Sequence, residues 1–89
     1  MLTSDEFKQA KNTVEEIVKD EFDISTVKTV LKAATNEITP ERQYDFYNHM
    51  SSLFLNVMLN RLNELGKNAK NNAIIGRQNI TKLMSKNYV

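Results

Sequence analysis

The chain has 89 residues, 12 basic and 11 acidic side chains, a formal net charge of +1, and no cysteine. Such a length makes one domain that buries only about 60–65% of its unfolded surface, so oligomerisation is an expected source of added stability. The lack of cysteine excludes disulfides, thiolate metal sites and cysteine nucleophiles and fits a cytoplasmic setting, while two glycines and one proline favour long helices over strands and turns.

Thr3-Ser4-Asp5-Glu6 reads as a capping box, with Thr3 as N-cap and Glu6 at the third helical position. Phe7, Ala10, Val14, Ile17, Val18 and Phe22 follow at helical spacing, which predicts a first helix over about residues 4–22. Asp23-Ile24-Ser25 interrupts it, and either Asp23 or Ser25 can cap a second, short helix over 25–36 with apolar positions Val27, Val30, Leu31 and Ala34. Thr39-Pro40-Glu41 is the clearest start signal: Thr39 can cap, Pro40 suits the first helical position, and Glu41 favours the positive helix end.

The third helix is predicted over 40–65. Its stripe of Phe46, Met50, Leu53, Phe54, Val57, Met58, Leu62 and Leu65 is read mainly as core and secondly as a groove or dimer seam. Tyr44 and Tyr47 flank the stripe, with hydroxyls expected at a rim or interface. Gly66 marks a break or kink, although the apolar spacing also allows the helix to run on. A last helix over 68–85 would use Ala69, Ala73, Ile74, Ile80, Leu83 and Met84, with Gly76 a weak point. The expected fold is all-α: three to four antiparallel helices in one domain spanning 1–89, assembled as a helical-bundle oligomer, with a basic and flexible C-terminal segment over 67–89.

Catalytic and cofactor signatures are missing. His49 is the only histidine and has no second ligand at metal spacing. Asp20-Glu21-Asp23 lacks the spacing of a calcium loop and reads as a solvated helix end. Ser51 and Ser52 have no nucleophile elbow, and two isolated glycines do not make a phosphate loop. An enzyme, a metal site and a cofactor are therefore not expected. The nearly uncharged stretch over 47–60 is too short and polar to span a bilayer, and the acidic N-terminus does not read as a signal peptide.

Charge distribution carries the functional information. Residues 1–46 hold ten carboxylates against six bases, whereas residues 47–89 hold one, Glu64, against Arg61, Lys67, Lys70, Arg77, Lys82 and Lys86. With so little local acid, these cations suit a polyanion or an acidic partner. Asn68, Asn71, Asn72, Gln78 and Asn79 could add hydrogen bonds to phosphates or base edges. A helix-turn-helix register anchored on Ile80 places Lys70 where a small residue belongs and Ile74 where the turn glycine belongs, so that motif matches poorly.

The stretch Phe22-Asp23-Ile24-Ser25-Thr26-Val27-Lys28-Thr29-Val30-Leu31-Lys32, followed by Pro40-Glu41-Arg42-Gln43, resembles the GapR-like nucleoid-associated proteins and short double-stranded-DNA-binding proteins of large phages. The likeness covers about a quarter of the chain. It implies an oligomer that closes around duplex DNA in a bacterial cell or phage-infected host, with Lys28 and Lys32 on the phosphates. This chain departs from the pattern in carrying only two bases on the short helix, within an acidic half. Residues 59–69 are faintly similar to the last helix of enterocin-type bacteriocin immunity proteins, which implies a protein partner instead. The expected function is thus a small cytoplasmic DNA-binding protein using Lys28, Lys32, Lys67, Lys70, Arg77, Lys82 and Lys86. The alternative is an inhibitor- or immunity-type module that docks on a protein through its helical surface.

Overall fold

The computed structural model describes residues 1–61 and 63–87, with side chains described through residue 85. Leu62 and the side chain of Lys86 therefore lie outside the described residues. Four helices follow in chain order: α1 (Ser4–Lys19), α2 (Ile24–Asn36), α3 (Pro40–Asn60) and α4 (Lys67–Asn87), and among the described residues there is no strand.

The starts obey local chemistry. At α1, the Glu6 N–H donates to Thr3 Oγ1 (3.2 Å) and the Thr3 N–H donates to Glu6 Oε1 (2.8 Å), completing the capping box. Asp23 is the cap of α2 and accepts from the Thr26 N–H at 3.2 Å. Thr39 sits at the cap position of α3, but its hydroxyl makes no capping bond; Pro40 sets the first turn.

The ends differ more from expectation. α1 stops at Lys19, before the predicted 22, in a Schellman closure. The Phe22 N–H donates to the Ile17 carbonyl (2.9 Å) and the Glu21 N–H to the Val18 carbonyl (3.0 Å). Glu21 and Phe22 take left-handed backbone angles, φ 53° and 61°, without a glycine, and the turn delivers Phe22 into the core. α3 ends at Asn60 rather than 65. The Glu64 and Leu65 N–H groups fold back onto the Arg61 carbonyl, and Leu65 anchors the turn against the core. Gly66 accordingly opens α4, its carbonyl accepting from the Lys70 N–H at 2.9 Å.

Consecutive helices run in opposite directions. The start of α1 meets the end of α2 through Gln9 Nε2 and Glu37 Oε2 (2.6 Å), and the middle of α3 meets the middle of α4 where Phe54 abuts Gly76. The spatial order around the bundle is α1, α2, α4, α3: α1 packs on α2 and α3, while α4 packs on α3 and, more lightly, on α2. As a result α1 and α3 run parallel. They are joined at one end by Arg42 and Glu6 and at the other by the edge-on rings of Phe22 and Phe54, 5.2 Å apart.

Ile17, Phe22, Val27, Phe46, Tyr47, Met50, Phe54 and Ile80 fill the centre. Tyr47 is inside, not at a rim; its hydroxyl lies 2.7 Å from Thr35 Oγ1, whose own proton goes to the Leu31 carbonyl. Gly76 is buried where α4 crosses α2 and α3, so the expected weak point is a packing contact. Ile74 leaves the core, with half its surface exposed.

Candidate nucleic-acid interface

Parallel packing of α2 and α4 builds a groove of about 380 Å³. The two helices draw close where Gly76 faces Val27; a β-carbon on Gly76 would lie 3.6 Å from the Val27 side chain. Beyond that crossing the groove opens, with Leu31 and Leu83 as an apolar floor. Lys28 and Lys32 rise from α2 and Lys82 from α4, with Thr35, Asn36 and Asn79 supplying polar groups and no carboxylate among the described lining residues.

Lys28 and Lys32 are one helical turn apart, so they repel each other weakly along α2. An anion between them and Lys82 would remove that repulsion. Among the described residues no counter-ion does so. The ion pairs among the described residues are the Met1 ammonium with Asp45 (3.3 Å), Arg42 with Glu6 (2.8 Å) and Arg61 with Glu64 (3.6 Å). Glu64, the single carboxylate of the C-terminal half, is thus engaged by Arg61. Lys28, Lys32, Lys67, Lys70, Arg77 and Lys82 have no ion-pair partner among the described residues. α1, which carries much of the acid, packs on α2 and α3, with at most a slight contact to α4.

Of the six predicted cations whose side chains are described, the structure gathers three in this groove. Lys28, Lys32 and Lys82 converge. Lys67 and Lys70 stand at the opening of α4, roughly 18–22 Å from Lys82 along the helix. Arg77 turns to the α3 side, beside Met58 and Ile74. Thr35 and Asn36 join the groove although the sequence reading did not name them. Their spacing of seven and eight residues from Lys28 was the available signal.

The described residues of the apolar stripe on α3 and after it divide by burial. Phe46, Met50 and Phe54 are fully buried, and Leu53, Val57, Met58 and Leu65 pack against the same core. Elsewhere, His49 lies edge-on to Phe7 with ring centroids 4.8 Å apart, and Asp20 and Asp23 both accept from the Thr26 hydroxyl. Among the described residues no three of His, Asp and Glu lie close enough to share a metal ion.

No known protein family, curated protein or solved structure matches the chain at a significant level. Nothing in these comparisons bears on the resemblance to GapR-like or immunity proteins. No helix among the described residues is long and apolar enough to cross a membrane.

Proposed function

We propose that the protein is a small, non-enzymatic DNA-binding protein that holds duplex phosphates on its α2–α4 face, acts as a homo-oligomer and works in the cytoplasm of a bacterial or phage-infected cell. The observation that carries this reading is the convergence of Lys28, Lys32 and Lys82 from two helices on a groove with no carboxylate among its described lining residues. Asn36, Asn79 and Thr35 add donors suited to phosphate or sugar oxygens. Lys67, Lys70 and Arg77 widen the positive field without sharing the groove, and the resemblance over residues 22–43 assigns Lys28 and Lys32 the same role.

The test is duplex affinity measured by fluorescence anisotropy across a salt series. Replacing Lys28, Lys32 and Lys82 together by alanine is expected to weaken binding and to flatten the slope of log K against log salt by about 2.7, or 0.9 per lost phosphate contact. Replacing Lys67 and Lys70 is expected to have the smaller effect. An unchanged slope in the first variant would remove the groove from consideration. Sedimentation mass with and without duplex reads the oligomer directly.

A further inference from the structure

The groove between α2 and α4 has an apolar floor for which phosphates have no use. Leu31 and Leu83 form it. The volume of about 380 Å³ lies in the range of small-ligand sites. The lining runs along α2 from Lys28 to Asn36, roughly 12 Å, and the approach of Gly76 to Val27 narrows one end. Lys28, Lys32 and Lys82 are exposed and make no ion pair among the described residues. A lysine at the edge of an apolar surface lays its methylene stem along that surface and keeps its ammonium in water, so the three stems extend the floor up the walls.

A nucleic-acid backbone presents phosphate oxygens and sugars to such a groove. It satisfies the ammonium groups and leaves the leucine surface in water. A neutral apolar molecule would cover the leucines and leave the like charges of the three lysines unrelieved. The full complement joins an alkyl chain, thin enough to lie between two helices, to an anionic head at its end. The chain gains by leaving water against Leu31 and Leu83, and charge-assisted hydrogen bonds from the lysines hold the head.

We infer that the groove binds a single-chain anionic amphiphile, a free medium-chain carboxylate, with its alkyl chain on Leu31 and Leu83 and its head among Lys28, Lys32 and Lys82. Such a ligand takes the lysines assigned above to duplex phosphates, so ligand and duplex displace one another. The displacement rests on the DNA reading; the ligand site does not.

The probe is decanoate below its micelle concentration, compared with hexanoate, which has a shorter chain, and with decyltrimethylammonium, which has the opposite charge. Amide shifts of the ¹⁵N-labelled full chain report the site. Decanoate is expected to saturate one site and to shift Leu31, Asn79 and Leu83. From hexanoate to decanoate the affinity of the native chain should rise about fourfold for each methylene that reaches the floor. Replacing Lys28, Lys32 and Lys82 together by alanine should weaken decanoate about tenfold. Equal affinity of hexanoate and decanoate would overturn the inference, as would saturable binding of decyltrimethylammonium, binding only above the micelle concentration, or shifts outside the α2–α4 groove. Bound decanoate should also release a fluorescent duplex. Saturable decanoate binding that leaves duplex affinity unchanged would overturn the displacement alone. No decanoate binding, beside a duplex affinity that the triple variant lowers, would remove the ligand site and leave the DNA reading standing.

Discussion

Glu6 shows how much one side chain can serve at once. It closes the capping box of α1, and its two carboxylate oxygens each lie 2.8 Å from Arg42 Nε on α3. The Thr3 backbone N–H, and next the Arg42 guanidinium, hold its carboxyl below the ordinary glutamate value, against the opposing push of burial. A depressed folded-state pKa contributes stability that is fully present above the unfolded value and is lost as pH falls through the folded one. The melting temperature of the native chain should therefore drop as pH falls below about 4.3. In Glu6→Gln, which retains the capping geometry, that part of the acid limb should flatten. Parallel acid limbs in the two proteins would show that the Arg42 contact has no such linkage. The sequence made the capping half of this residue's role readable, because capping is local. It could not show the Arg42 half, because the two residues are 36 positions apart.

At the scale of the helix, Gly76 is the sharpest case. Alanine there would gain about 1 kcal/mol of helix propensity. Its β-carbon, however, would lie 3.2 Å from Phe54 Cζ, at the tip of a fully buried ring held edge-on by Phe22. Overpacking of this kind costs about 1–3 kcal/mol, so a net loss of about 1 kcal/mol is expected for Gly76→Ala, seen as a melting point about 4–8 °C lower. A rise in melting temperature would mean that Phe54 has room to shift. Helix starts were legible because Thr3, Asp23 and Pro40 act on their own neighbourhoods. Ends were not. α1 closes on Glu21 and Phe22, which adopt left-handed angles without the glycine that normally signals them, and α3 stops before a turn whose Leu65 continues the apolar spacing. The break read at Gly66 is there, between α3 and α4, and the Gly66 carbonyl accepts the first bond of the helix that follows.

Across the whole molecule, a net charge of +1 conceals two opposed surfaces. Exposed Glu15, Glu16, Asp20 and Glu21 lie on or just after α1, while Lys28, Lys32 and Lys82 share the α2–α4 groove. At neutral pH and low salt the protein should be retained by both anion and cation exchangers, each engaging its own face. The triple alanine variant should lose cation-exchanger retention and keep the other; equal loss on both resins would show that the surfaces do not act separately. Each lysine of the groove was visible in the sequence, yet their convergence was not. Periodicity tells which side of a helix is apolar, and it does not say that the second and fourth helices are neighbours while the second and third lie across the bundle. That order has a consequence for assembly of the groove. Its walls come from segments separated by more than forty positions, so neither a nascent chain ending before α4 nor a fragment starting at Gly66 contains it. Any ligand that needs all three lysines recognises only the finished tertiary arrangement, and its binding energy adds to the stability of that arrangement alone.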